Sequence, residues 1–242
     1  MREILVAKDK DELNAMAAAK FVEIANSAIR DNGRFTVALA GGSTPKSLYR
    51  LLASDEFRNK IDWPKVFFFF GDERNVPPTD PESNFRMARE TLFDLLGTPS
   101  ENIFMWPTGE TTPQITADKY EKTLRSFFTA SQPLDLALLG MGADGHTASL
   151  FPFTPALREN SRLAVSNWVD KLATYRLTMT FPMLNSAANT IFMVAGEEKA
   201  PVLKEILEGE YQSDQYPAQG VDPERGNLCW LADKAAARLL SE

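Results

Sequence analysis

Short apolar runs, several of them ending at glycine, alternate along this chain with longer segments of helical periodicity. That alternation constrains the fold more than any other feature. Residues 4–7, 35–40, 66–70, 134–139, 163–168, 176–180, 190–195 and 228–231 read as strands, and 9–31, 44–53, 83–96, 116–128, 199–207 and 234–240 as helices. Strands joined through helices pair in parallel by crossover, and such a sheet needs cover on both faces. The expected fold is therefore α/β: a doubly wound, mostly parallel, Rossmann-like sheet flanked by helices on both faces, in one domain over 1–242. Local signals agree. Gly33 ends the first helix, Pro45 takes a first-turn position in the second, and 83–96 has an apolar side of Phe85, Met87, Ala88, Leu92, Leu95 and Leu96. The four phenylalanines at 67–70 form a buried strand that periodicity alone does not assign. The stretches 71–82, 108–113 and 210–226 read as irregular; none is a linker, because strand and helix alternation resumes on either side.

Composition removes several function classes. With 242 residues, 44% hydrophobic and 24% charged, the chain suits one soluble domain with a full core. A net charge of -7 and a pI of about 5.0 argue against broad nucleic-acid binding, so an anionic ligand would need a local cluster of basic groups and backbone donors. The single cysteine, Cys229, allows no internal disulfide, and its setting between Leu228 and Trp230 reads as a buried strand rather than a reactive thiol. One cysteine and one histidine make no ordinary zinc set. The first apolar run is too short for a signal peptide, and no segment approaches membrane-spanning length. The expectation is a cytoplasmic protein without nucleic-acid or membrane partners, a monomer or small homo-oligomer.

The only histidine, His146, lies in Gly140-Met-Gly-Ala-Asp-Gly-His-Thr-Ala-Ser-Leu-Phe-Pro152, directly after the strand at 134–139. A glycine-rich loop at a strand's carboxyl end is where open α/β sheets bind ligands. Imidazole titrates near neutrality, and Asp144, two residues earlier, can orient it or balance its charge. Ala40-Gly-Gly-Ser-Thr-Pro-Lys46 joins a strand to a helix. Its glycines, hydroxyls and helix N-terminus suit an anion, and they suit equally a tight turn with an N-cap. Phe70-Gly-Asp-Glu-Arg74 ends the phenylalanine strand. Arg74 there binds an anion or stabilises developing negative charge, or belongs to a solvated charged turn. Arg176 and Lys199 are either surface charges or part of the same edge, Lys199 following a strand–glycine turn.

Together these segments resemble the 6-phosphogluconolactonase family, within the wider group that includes glucosamine-6-phosphate deaminases. The resemblance rests on Leu39-Ala-Gly-Gly-Ser-Thr-Pro-Lys46, Phe69-Phe-Gly-Asp-Glu-Arg74 with downstream Ser83-Asn84, and the histidine loop. Arg176-Leu-Thr-Met-Thr-Phe-Pro-Met-Leu-Asn185 and Gly196-Glu-Glu-Lys-Ala200 agree as well. The match runs in order from about residue 35 to residue 200. It implies a phosphorylated sugar lactone as substrate, with Gly42, Ser43, Thr44, Arg176 and Lys199 as the phosphate clamp and His146 as the base. Gly41, Asp72 and Gly145 would complete the substrate site, Asp144 would hold the imidazole, and Arg74 would stabilise the oxyanion. The implied reaction is hydrolysis of 6-phospho-D-glucono-1,5-lactone in the oxidative pentose phosphate pathway, without metal or cofactor.

Two departures favour the lactonase side of the group. Similar deaminases carry Asp-Glu-Tyr where this chain has Asp72-Glu73-Arg74, and an acidic residue where it has Phe151. A deaminase that isomerises its substrate needs more acid–base groups than a hydrolase does. The alternatives are such a deaminase or isomerase, or a non-catalytic sugar-phosphate sensor, which could dispense with the base. Within the lactonase reading, Ser149 as a nucleophile is the lesser alternative to water activated by His146.

Overall fold

Six strands lie side by side, every pair parallel, in the computed structural model, which describes residues 2–109, 112–129, 133–223 and 225–241. Residues 110 and 111 of the loop expected over 108–113, and Glu224 in that over 210–226, lie outside the described residues. In chain order the elements are β1 (Arg2–Ala7), α1 (Lys10–Asn32), β2 (Phe35–Leu39), α2 (Ser43–Leu52), β3 (Val66–Phe70), β4 (Asp72–Arg74), α3 (Asn84–Ala88), α4 (Asp94–Leu96) and α5 (Pro113–Phe127). There follow β5 (Leu136–Gly140), β6 (Ala164–Val169), β7 (Thr174–Met179), α6 (Phe181–Leu184), β8 (Asn189–Val194), α7 (Ala200–Glu208), β9 (Asn227–Asp233) and α8 (Lys234–Ala237). The parallel sheet has the order β1-β9-β8-β5-β2-β3.

That order creates the crevice. From β2 the chain passes to β3 on one side; from β5, the other neighbour of β2, its next strand in this sheet is β8 on the opposite side. Loops leaving the carboxyl ends of β2 and β5 therefore diverge, and α/β sheets bind ligands at such a switch point. The central strands are buried on both faces, which accounts for their unbroken apolar runs. Within β3, Phe69 stacks on Phe104 at 4.7 Å, while Phe68 and Phe70 project oppositely toward Phe93 at 4.9 and 6.3 Å. Four consecutive phenylalanines thus serve two core layers. At the ends of α1, the Asp9 side chain accepts from Glu12 N, and Gly33 closes the helix at φ 75° with its N–H on Ile29 O.

Two expectations need correction. The strands expected over 163–168 and 176–180 do not join the parallel sheet; as β6 and β7 they form a second, antiparallel sheet in the order β4-β7-β6. A one-turn connection at Asp170–Leu172 permits only antiparallel pairing. Nor is 71–82 wholly irregular, since β4 begins one residue after β3. Gly71 joins the two sheets: its N–H donates to Leu39 O at 3.0 Å and its carbonyl accepts from Met179 N at 2.7 Å. The polar residues of β4 carry no apolar alternation, so no strand signal was present. The helix expected over 83–96 runs from Asn84, capped by Ser83, to Leu96 and contains a π turn at Arg89–Phe93. Among the described residues no helix is long and apolar enough to cross a membrane.

Candidate active site

A cleft of about 250 Å³ opens at the carboxyl ends of β2, β3 and β5. Its wall includes Gly41 and Gly42 after β2, Asp72 and Arg74 on β4, Asn84, Gly142 and His146 after β5, and Lys199 before α7.

The histidine loop folds back on itself. Gly142 N donates to His146 O at 2.8 Å, and Gly145, at φ 81°, donates to Gly142 O at 3.0 Å. This turn brings Nδ1 of His146 to 2.5 Å from Oδ1 of Asp144. An ionised carboxylate only accepts hydrogen bonds, so Nδ1 is the donor in this pair and Nε2 is the ring nitrogen left for the cleft. The second oxygen of Asp144 accepts from Nζ of Lys171. Burial pushes the Asp144 carboxyl up, but the hydrogen bond and charge of His146, joined by Lys171, hold it well below the usual carboxylate range. Phe151 stacks on the imidazole at 4.2 Å, and Nζ of Lys171 lies over the Phe151 ring, 4.7 Å from its centroid.

Glycine is required at Gly142 by contact: a Cβ there would stand 2.0 Å from His146 Nδ1 and 2.6 Å from Asp144 Oδ1. The loop at 210–226 packs against the histidine loop. Tyr216 lies 2.9 Å from where a Cβ on Gly145 would be, and Ala218 N donates to Gly145 O at 2.9 Å.

After β2, the buried Tyr49 hydroxyl donates to Ala40 O at 2.8 Å and accepts from Ala40 N at 3.0 Å, anchoring the glycine turn. No side chain caps the first turn of α2, where Gly42 sits at φ 99°. An uncapped helix N-terminus facing a cleft is a favourable place for an anion. Gly41 abuts Asn84, whose Oδ1 lies 2.1 Å from where a Cβ would be. Asn84 donates through Nδ2 to the backbone O and Oδ1 of Asp72 at 3.0 and 3.2 Å; its own Oδ1 is buried and unpartnered.

The carboxylates at the end of β3 differ in employment. Asp72 Oδ2 accepts from Ser149 Oγ at 2.6 Å. Ser149 is buried and its N–H donates to Thr178 Oγ1, so its hydroxyl holds Asp72 in place and is not presented as a nucleophile. Glu73 accepts from the backbone of Arg74, Asn84 and Phe85 and from Ser83 Oγ; burial raises its pKa, and these bonds pull it back. It ties the start of α3 to β4. Arg74 donates to Glu82 O and stands opposite Arg176 in the β4–β7 register. Burial lowers the Arg176 guanidinium pKa, and the charge of Arg74 adds to that. Among the described residues neither Arg176 nor Lys199 has a carboxylate at ion-pair distance.

Of the expected site residues, Gly41, Gly42, Asp72, Arg74, His146 and Lys199 wall the cleft. Asp144 and Gly145 stand behind His146. Ser43 lines an adjoining groove of about 440 Å³ with Lys46, Arg74 and Arg86. Thr44 lines neither; nor does Arg176, which adjoins the cleft through Arg74. Sequence reasoning passed over Gly142, Asn84 and Lys171 as site residues. Gly142 was legible as a further glycine of the histidine loop and Asn84 from the Ser83-Asn84 pair; Lys171 had no local signal. Among the described residues no group of three His, Cys, Asp or Glu side chains could hold a metal ion.

Known proteins resemble this chain over most of its length. The family model described as glucosamine-6-phosphate isomerases/6-phosphogluconolactonase matches residues 8–230. A 6-phosphogluconolactonase from Nostoc sp. is 41% identical over 244 residues, covering 99% of each chain, and one from Synechocystis sp. is 43% identical over 217 residues, 88% of each. The solved 6-phosphogluconolactonase of Trypanosoma brucei superposes with a TM-score of 0.85 at 30% identity, covering 100% of this chain and 99% of that one. A monomeric glucosamine-6-phosphate deaminase shares the fold, with a TM-score of 0.82 at 21% identity and 98% and 99% coverage.

Proposed function

The chain belongs to the glucosamine-6-phosphate isomerase/6-phosphogluconolactonase family, and from that premise we propose that it hydrolyses 6-phospho-D-glucono-1,5-lactone, with water activated by His146. Its enzyme class is that of its relatives, a lactone (carboxylic-ester) hydrolase. The product is 6-phosphogluconate, in the oxidative pentose phosphate pathway.

The observation that carries the reading is the 2.5 Å contact of His146 Nδ1 with Asp144. It leaves Nε2 as a base on a cleft wall. Nε2 takes a proton from water as the water oxygen bonds to C1 of the lactone. Arg74 and loop amides balance the oxyanion as the carbonyl π bond opens. When the C1–ring-oxygen bond breaks, the imidazolium returns the proton to the ring oxygen, and Asp144 holds the imidazole throughout. The phosphate is held by the amides of Gly42, Ser43 and Thr44 at the start of α2, with Arg176 and Lys199, two cations that among the described residues have no carboxylate at ion-pair distance. A δ-lactone is already activated, so base catalysis of about 10²–10⁴-fold with positioning is enough. Phe151 stacking on the imidazole favours hydrolysis over deamination, since it puts an apolar ring where an additional acid–base group would be needed.

The test is hydrolysis of freshly generated lactone above its spontaneous rate, in wild type and His146→Ala, with glucosamine 6-phosphate in parallel. Hydrolysis lost in the variant is the expected result. Hydrolysis unchanged removes the base role, ammonia release from the amino sugar shifts the reading to a deaminase, and ligand binding without turnover shifts it to a sensor.

A further inference from the structure

One cation reaches the histidine's partner carboxylate from outside the cleft. Lys171 lies in the turn between β6 and β7, far along the chain from the histidine loop, yet its ammonium contacts the Asp144 oxygen that His146 does not use. It also lies over Phe151, the ring that stacks on the imidazole. Turn, carboxylate, imidazole and aromatic ring therefore form one closed cluster.

We infer that Lys171 is a positioning residue: it holds the far oxygen of Asp144 so that the near oxygen fixes the orientation of His146 through Nδ1–H, and its charge opposes formation of the imidazolium. This rests on the proposed role of His146 as base. A carboxylate beside an imidazole stabilises the imidazolium, the form that cannot accept a proton from water. Lys171 shares that carboxylate and opposes a second positive charge nearby. The other groups facing the site are Asp72 and Arg74 from β4 and Lys199 from before α7, across the cleft. Asp72 is already engaged by Asn84 and Ser149; the 210–226 loop presents the Tyr216 ring and backbone at Gly145, and its Asp214 pairs with Arg158. Among the described residues Lys171 is thus the cation that contacts the carboxylate of the Asp144–His146 pair.

His146 is the sole histidine of the chain, so its ring resonances in an NMR pH titration of untagged protein need no assignment. The titration is run on wild type, Lys171→Met, Lys171→Arg and Asp144→Asn, with methyl dispersion checking the fold of each. Removing the lysine charge should raise the midpoint by about one pH unit at low salt, and less at high salt because Lys171 is half exposed. Lys171→Arg should stay near wild type and Asp144→Asn should fall below it. A midpoint in Lys171→Met equal to or below wild type overturns the inference, as does Lys171→Arg moving as far as Lys171→Met. The acid limb of kcat/KM is then measured on the same proteins. A limb that follows the NMR midpoints supports both assignments. Midpoints that move while the limb stays fixed leave the lysine's effect on His146 standing and defeat the reading of His146 as the base.

Discussion

Arg74 and Arg176 are directly opposed in the antiparallel β4–β7 pair, two guanidinium groups on one rung of a small sheet beside the cleft. Like charges in that relationship destabilise a sheet, and burial of Arg176 adds to the cost. A phosphoryl group near Arg176 and a developing oxyanion near Arg74 would each relieve it. In the free protein, Arg176→Met should be neutral or stabilising by up to about 1 kcal/mol. Saturating inorganic phosphate should raise the Tm of wild type clearly more than that of the variant, as seen by calorimetry at matched ionic strength. An equal phosphate shift in both proteins would remove Arg176 from the clamp.

Ser149 is tested by its bond to Asp72, 2.6 Å long and buried. If the hydroxyl only supports Asp72, Ser149→Ala leaves a buried acceptor short of one donor and costs about 1–3 kcal/mol in urea unfolding. Hydrolysis should then fall no more than about tenfold, an effect of about 1.4 kcal/mol on the barrier. A loss of several thousandfold, or a trapped acyl-enzyme in rapid-quench mass spectrometry, would restore Ser149 as a nucleophile.

Gly142→Ala offers a test of the histidine geometry without touching its chemistry. The added methyl would occupy space within 2.0 Å of His146 Nδ1, so the ring must leave Asp144. Misplacement of a catalytic group by about 1 Å costs about 10²-fold, and the loss should appear in kcat more than in KM. Gly140→Ala, whose Cβ would meet nothing within 4 Å, controls for a general effect of alanine on folding and should stay within about 0.5 kcal/mol of wild type. Full activity in Gly142→Ala would contradict the loop geometry.

Asp144 predicts a pH dependence of stability. Its folded-state pKa is depressed, so it contributes stability that is fully present above its unfolded value of about 3.9 and is lost as pH falls below that. Wild type should exceed Asp144→Asn by about 1 kcal/mol at pH 7, a discounted figure because the carboxylate is partly exposed. The gap should shrink as the pH is lowered from 4 toward 2. Urea melts at pH 4, 3 and 2.5 measure it, and a gap that widens over that interval would show the sign to be wrong.

Much of the site was legible because its residues are close in sequence. Strand, glycine turn and helix are local signals, so the loops at 40–46 and 140–152 could be placed at strand ends, and Asp144 two residues from His146 could be read as its partner. Gly33 and Asp9 marked the ends of α1 for the same local reason. The second sheet was not legible. β4 has three polar residues and no alternation, and the β6–β7 turn resembles any short connection until its pairing is known.

By itself, then, the sequence determined an α/β layering, the glycine loops and the histidine–aspartate couple, since each depends on neighbours a few residues apart. Only the tertiary structure decided which loops share a crevice, because that follows from β2 lying beside β5. It also decided that Ser149 serves Asp72 from 77 residues away, that Lys171 reaches Asp144 across 27, and that Arg74 opposes Arg176. Strand order and register set those meetings, and they arise from packing the whole chain, which no local pattern encodes.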